Sequence, residues 1–288
     1  MKIGVVFPQF EFGLDPIAMK DFVQAVEELG YSHVVVFDHV LTPRGVEEQA
    51  NNNAHGLPFQ EPLVFLGFLS AATQRLEFVT AIIILPQRQT VLLAKQVATL
   101  EILCRGRFRL GVGIGWNKVE YVALNQDFHT RGKRIEEQII LLRRLWSEHL
   151  VTFNGQWDRV PQAGLNPLPI NGSIPIWFGG HADIVLRRMA RLGDGWIPEY
   201  TTAEEALPSI NKLEHYLKEA GRSRMGFGLE VKMRYGKGNP RKWAEIMQGW
   251  EKVGATHLSI DTMHSNFEGP DEHIKAVKTF AKEVGLTL

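Results

Sequence analysis

The sequence predicts a single (β/α)8 barrel over residues 1–288, and three observations predict it. Short apolar runs rich in Val and Ile alternate with longer amphipathic segments from one end of the chain to the other. The first five runs are too continuously apolar for a sheet with one wet face, so they read as parallel strands covered on both sides. Eight such runs, nearly every one followed by a helical pattern, suggest a closed barrel. A two-domain doubly wound protein is the alternative, disfavoured because no composition shift or Pro/Ser-rich linker marks a boundary.

Taken in order, strands are expected over 2–8, 33–37, 77–85, 107–113, 174–179, 195–197, 227–233 and 257–261. The opening Met1-Lys2-Ile3-Gly4-Val5-Val6-Phe7-Pro8 reads as the first of them and not as a signal peptide. Helical patterns fill 15–29, 60–73, 90–103, 184–192, 203–220, 240–253 and 270–284. The first begins at Asp15-Pro16 and stops at Gly30, a cap and a breaker in the expected order. Gly193, Gly221, Gly254 and Gly285 follow later helices, where a left-handed terminal residue is favoured. Between the fourth and fifth strands the rhythm breaks. A long helix over 130–150 precedes Val151-Thr152-Phe153-Asn154-Gly155-Gln156-Trp157, whose Asn-Gly signals a hairpin. Residues 116–173 are therefore expected to form a surface insertion of helix plus β-hairpin.

Composition narrows the function classes. Lys plus Arg equals Asp plus Glu at 32 each, so the basic footprint of a nucleic-acid binder is absent. No apolar run approaches the roughly 18 residues that a spanning helix needs, so no membrane role is expected. The single cysteine, Cys104, excludes an intrachain disulfide and a cysteine zinc cluster, and reads as a small buried helix residue. A cytoplasmic location is expected from these features.

Barrel active sites form at the C-terminal ends of the strands. That rule selects Pro8-Gln9, Asp38-His39, Ile82-Ile83-Ile84 with Pro86-Gln87-Arg88, the run from Gly111 to Asn117, Gly179-Gly180-His181, Pro198-Glu199, and Asp261 with His264. Gly113, Gly115, Gly179 and Gly180 stand where strands become loops leading to helices. Glycine there lets a phosphate-bearing ligand approach the backbone and a helix N-terminus. It also relieves crowding inside a barrel strand, and spacing alone leaves both readings open. The run is no Rossmann fingerprint, because it lacks the third glycine at the proper offset. Histidine is a side chain suited to shuttling a proton, and His39 stands at a strand end facing the expected pocket. Neighbouring strand residues face opposite sides, so Asp38 and His39 are expected to do different jobs. The alternative is that one caps the strand and the other lies on the surface. His181, His264 and Asp261 raise a metal-dependent hydrolase as a remote alternative, but Phe7-Pro8-Gln9 stands where such barrels place His-x-His, and no metal site is expected.

Phe37-Asp38-His39-Val40, Leu85-Pro86-Gln87-Arg88 with the segment from Ala94 to Leu100, Gly106-Arg107 and the glycine run through Trp116 together resemble the luciferase-like monooxygenase family. Arg134-Ile135-Glu136-Glu137, Pro175-Ile176-Trp177-Phe178-Gly179-Gly180 and the segment from Arg187 to Trp196 agree. The match covers about three quarters of the chain and leaves the last sixty or so residues uninformative. More narrowly it is similar to the branch that uses the deazaflavin coenzyme F420. The resemblance implies a flavin-like ring over the barrel mouth and hydride transfer to or from a small organic substrate. The alternative is flavin mononucleotide (FMN) with oxygen, served by a separate flavin reductase; an F420 reductase would play that part for the deazaflavin. It implies catalytic roles for His39 and Asp38, with cofactor contacts from Asp38, Ala81, Ile82, Ile84, Gly113, Ile114, Gly115, Gly179, Gly180 and His181. A non-prolyl cis peptide is expected at Ala81-Ile82. Pro8 and Trp116 would line the substrate pocket. Trp116 replaces the glutamate of the family's sugar-phosphate dehydrogenases, which points to a flatter, more apolar substrate. A homodimer is expected by analogy.

Overall fold

The computed structural model describes residues 1–41 and 58–286. Five strands come first: β1 (Lys2–Val6), β2 (His33–Val36), β3 (Glu77–Thr80), β4 (Ile83–Ile84) and β5 (Phe108–Gly113). A hairpin of β6 (Val151–Asn154) and β7 (Arg159–Ala163) precedes β8 (Ile176–Gly179), β9 (Gly195–Ile197), β10 (Gly228–Arg234) and β11 (His257–Asp261). Every barrel pairing is parallel. β1 bonds to both β2 and β11, and β3 to both β2 and β5, so the ring closes with β3 and β4 sharing one stave. This is the (β/α)8 barrel that the alternation of apolar runs predicts.

The period-two alternation of side chains builds two cores. Outward residues pack under the helices; Phe7, for example, meets Phe22 and Phe65 edge-on with centroids 5.2 and 4.9 Å apart. Inward residues Val6, Val35, Val79, Trp177, Ile197 and Met263 fill the lumen as a separate cluster. The lumen is therefore packed side chain and not a pore.

The helices are α1 (Pro16–Glu28), α2 (Pro62–Ser70), α3 (Thr90–Leu103), α4 (Lys118–Ala123), α5 (Arg131–Ser147), α6 (Asp183–Leu192), α7 (Ala203–Glu219), α8 (Pro240–Lys252) and α9 (Pro270–Val284). Asp15 caps α1 by accepting from the Ile17 amide at 2.9 Å, and Thr202 with Glu205 forms a capping box on α7. Cys104 is buried at the end of α3, where burial pushes its thiol up to about 11.

Four expectations are corrected. The strand expected over 77–85 is split into β3 and β4 at Ala81-Ile82, where the expected non-prolyl cis peptide is found, and it ends in a 3-10 turn at Leu85–Gln87. The long helix expected in a surface insertion is α5, which belongs to the helix ring between α3 and α6. Its charged sequence hides an apolar stripe of Ile135, Ile139, Leu142 and Trp146, and the Trp146 indole donates to the Ala94 carbonyl at 3.1 Å. Only α4 and the hairpin are additions to the barrel between β5 and β8. In the hairpin, Asn154 pairs with Arg159 and the turn spans 155–158, so Asn-Gly opens a four-residue loop instead of forming the turn. Finally, Gly193 is extended (φ −96°), unlike left-handed Gly221, Gly254 and Gly285. A Cβ there would lie 2.8 Å from the Phe178 ring, so close packing explains this glycine.

Candidate active site

His39, just beyond β2, keeps its side chain 27% exposed at the C-terminal mouth. Its Nδ1 lies 3.3 Å from Oε1 of Glu120, a carboxylate wholly buried on α4. The same oxygen accepts from the Val40 and Leu41 amides at 2.8 and 3.1 Å, while Oε2 accepts from Gln87 at 3.2 Å. Burial pushes the Glu120 carboxyl upward, but the hydrogen bonds from His39, Leu41, Gln87 and Val40 outweigh it and hold the group below its usual range. A charged acceptor at Nδ1 fixes the ring and presents Nε2 to the mouth. Two aromatic rings flank the imidazole: Phe59 at 5.1 Å and Trp116 at 6.1 Å between centroids. Phe10 extends this rim, 5.8 Å from Phe59.

Asp38 faces the other way, as period-two geometry requires. Its Oδ2 accepts from the Ile84 amide at 3.0 Å and its Oδ1 from Arg88 at 2.9 Å; Arg88 also reaches Glu61 at 2.8 Å. Burial raises the Asp38 carboxyl despite the opposing pull of Arg88. Both oxygens are thus engaged in holding the broken stave against the end of β2.

That stave forms a shelf. Phe10, Phe37, Ala81 and Ile82 are partly open and pack on the lumen cluster. A Cβ on Gly113 would meet Ile82 at 2.7 Å, and one on Gly179 would meet it at 3.0 Å, so these glycines make room for the Ile82 side chain. Gly115, left-handed at φ 63°, does the same for Ile84. Crowding relief therefore accounts for three of the four glycines. Gly180 differs: it has φ 95° and leads into α6, whose N-cap Ala182 offers no side-chain acceptor. Asp183, in the first turn of α6, is drawn aside by Tyr216 at 2.7 Å and Arg187 at 3.1 Å. No side chain caps the start of α6, although the Val185 amide already bonds to the Ala182 carbonyl at 2.8 Å.

The structure thus brings His39, Asp38, Ala81, Ile82, Gly113, Ile114, Gly115, Trp116, Gly179 and Gly180 to one mouth. Ile84 and Pro8 are buried beneath it and expose no usable surface. His181 is exposed beside Tyr200, with centroids 5.4 Å apart, whereas His264 sits by Phe10. Among the described residues no three His, Cys, Asp or Glu side chains converge as metal ligands. Glu120, Glu61, Phe59 and Phe10 are not among the residues the sequence points to, whereas Gln87 belongs to the selected Pro86-Gln87-Arg88 strand end. Glu120 follows Asn117 by three, which reads as a capping box, and Asn117 does cap α4 by accepting from the Val119 amide. The carboxylate instead turns to the β2 loop.

The chain matches the luciferase-like monooxygenase family over residues 1–280. It is 34% identical over 223 residues to an uncharacterised protein of Mycobacterium tuberculosis (strain ATCC 25618 / H37Rv), covering 72% of this chain and 75% of that one. It is 27% identical to the F420-dependent glucose-6-phosphate dehydrogenase of Intrasporangium calvum, over 95% of this chain and 83% of the relative. Among solved structures, an F420-dependent secondary alcohol dehydrogenase in complex with an F420-acetone adduct superposes with a TM-score of 0.81 at 17% identity, covering 99% and 98% of the two chains. A monooxygenase from Streptomyces bottropensis superposes with a TM-score of 0.77 at 17% identity, covering 99% and 98%. With eight parallel staves closed into a ring and a histidine presented at their C-terminal mouth, this chain belongs to the luciferase-like monooxygenase family of oxidoreductases.

Proposed function

We propose that this protein catalyses two-electron redox chemistry at a deazaflavin, coenzyme F420, held over the Ala81-Ile82 shelf. The residues present fit such a group: an apolar ledge for a flat ring, and at α6 an N-terminus without a side-chain cap for a phosphate. Bound there, the deazaflavin would supply a hydride acceptor or donor. Ala81 and Ile82 would support the ring, with Asp38 positioning them through its bond to the Ile84 amide. Gly180 and the first amides of α6 would hold the tail. His39 Nε2 would take a proton from, or give one to, the substrate, and Glu120 would stabilise the imidazolium formed. The observation that carries this reading is the open imidazole backed by a buried, ionised carboxylate.

Phe10, Phe59 and Trp116 make the rim suit a flat, apolar organic substrate. Two relatives named as F420-dependent glucose-6-phosphate dehydrogenases support the cofactor. They do not carry their substrate over, because Trp116 takes the place of the acid expected for sugar phosphates. α2 leaves Val64 and Phe68 exposed, which suits a homodimer through that helix, to be checked by light scattering.

A fluorescence titration with coenzyme F420 and with FMN tests the reading. Binding of F420 in clear preference supports it. Preference for FMN replaces it with oxygen chemistry, the activity named for the Streptomyces bottropensis neighbour. Once a substrate is found, His39→Ala should lower kcat by about 10²- to 10⁴-fold and leave F420 affinity within about threefold. Retention of full turnover would remove His39 from the mechanism.

A further inference from the structure

A cavity of about 980 Å3 opens at the opposite end of the barrel from His39. Its floor comes from strand beginnings: Arg109 on β5, Trp177 on β8 and His257 on β11. One wall is apolar, formed by Leu207 and Ile210 of α7 with Met225 and Phe227. The packed lumen, with Val6, Val35, Val79 and Ile197 at most 3% exposed, separates this cavity from the mouth.

The cavity is biased toward positive charge. Five cationic side chains line it (Lys2, Arg109, Arg143, Arg224 and Lys252) against three carboxylates, Glu77, Asp194 and Glu214. Two of the carboxylates are already matched, Asp194 by Arg143 at 2.8 Å and Glu77 by Arg109 at 3.0 Å. Lys2 and Lys252 have no ion-pair partner among the described residues. At the floor, Arg109 gives Nη1 to Glu230 at 2.9 Å, yet Nη2, on a side chain only 5% exposed, finds no acceptor. The guanidinium lies over the Trp177 ring at 4.3 Å. The indole is locked across the base, since a Cβ on Gly195 or Gly228 would strike it at 2.3 or 2.0 Å. Beside it, burial and the neighbouring Arg109 and His33 hold His257 down to about 3, so the imidazole is neutral in a positive field.

We propose that this cavity is a second ligand site, distinct from the redox mouth, that takes a small amphipathic monoanion such as an aryl carboxylate. The ring would lie against Leu207, Ile210 and Met225, and the carboxylate would face Lys2 and Lys252 above Arg109. The volume suits a molecule of that size, and a few placed charges in an apolar cleft are what such sites offer. The unmatched charge is small, and Glu214 stands in the lining, so a polyanion fits less well.

The test uses 2-naphthoate as probe and 2-naphthalenemethanol as its uncharged counterpart, with calorimetry and tryptophan fluorescence on the full chain. The site predicts saturable one-to-one binding of the carboxylate, at least about tenfold tighter than the alcohol. Lys252→Glu and Met225→Glu, both at exposed positions that spare folding, should each weaken it by about tenfold or more. Saturating F420 or FMN should leave it unchanged. Lack of saturable binding, equal affinity for the alcohol, indifference to both substitutions, or displacement by either cofactor would each overturn the proposal.

Discussion

The barrel carries ionised clusters at both ends, and they are built differently. At the base, His33 Nε2 lies 2.8 Å from Glu230 Oε1 and 2.9 Å from the Ser259 hydroxyl, while Arg109 closes on Glu230 at 2.9 Å. These residues come from β2, β10, β11 and β5, and the His33 and Glu230 side chains are at most 1% exposed. Burial pushes the Glu230 carboxyl up, but His33 and Arg109 outweigh it and hold it far below the usual carboxylate range. At the mouth, Glu120 is equally buried, but its partner His39 is open to solvent. Matched charges with no open partner tie staves together. A buried charge whose partner faces the cleft leaves that partner free to exchange a proton. The two ends therefore predict opposite responses to mutation: stability should fail at the base and activity at the mouth.

Glu230→Ala is the strongest way to test that difference. Removing the carboxylate leaves the Arg109 guanidinium buried without its main counter-charge, which typically costs about 3 to 5 kcal/mol. Urea denaturation should show that loss as a lower midpoint at unchanged slope. A loss below about 1 kcal/mol would mean that water or Glu77 compensates, and the base would not be the tie described here.

Glu120→Gln should act mainly on rate. The amide oxygen still accepts from Val40 and Leu41, so the fold loses about 1 to 2 kcal/mol. The imidazolium at His39 loses its counter-charge, and kcat should fall about 10- to 100-fold, with the acid limb of the kcat/KM profile moving to lower pH. A purely structural role would lower thermal stability and leave that limb in place.

Two histidines give a smaller, pH-dependent signature: half-buried His257 at the base, and buried His273 beside Thr262 at the other end of β11. His257 is depressed to about 3 by burial and its cationic neighbours, and His273 to about 4, chiefly by burial. Their unfolded values lie near 6.5, so between about pH 6.5 and pH 4 the unfolded chain binds protons that the folded chain refuses. Stability must therefore rise with pH across that window, by up to about 1.4 kcal/mol per pH unit for each histidine. His273→Gln should remove one histidine's share of the slope in denaturation measured at stepped pH. An unchanged slope would show that His273 becomes protonated in the fold, against the orphaned Nε2 3.7 Å from Glu11.

The same contrast explains what the sequence could reveal. Staves and caps were readable because local rules set them: continuous apolar runs for β1, β2 and β5, Asp15-Pro16 for α1. The divergent placement of His39 and Asp38 at the end of β2 was readable because a strand end in a barrel has a known place and alternate residues diverge. Glu120 was not, because its capping-box spacing has a local explanation and its real partners lie about 80 residues away. The base cluster was equally hidden, since His33 and Glu230 are 197 residues apart and meet only when the ring closes. Spacing alone leaves the glycines open between two readings for the same reason: Gly113 and Gly179 are close neighbours of Ile82, a contact set by the broken stave. α5 was misplaced because exposed charges between its apolar positions obscured a stripe that the ring buries.

Trp116 offers the smallest and most selective effect. Its side chain is 60% exposed and meets the His39 ring only at its edge, 6.1 Å away, so it adds little to folding. Trp116→Ala should change stability by less than about 0.5 kcal/mol, as surface substitutions do. For an aromatic substrate it should raise KM by about 5- to 10-fold, the loss of one stacking contact worth roughly 1 to 1.5 kcal/mol, with kcat nearly unchanged. For a compact aliphatic substrate KM should hold. If both substrate classes suffer equally, Trp116 acts through His39, and the rim orders the imidazole instead of selecting the substrate. The pH profile separates these cases, because a disordered imidazole moves its limb and a lost stacking surface does not.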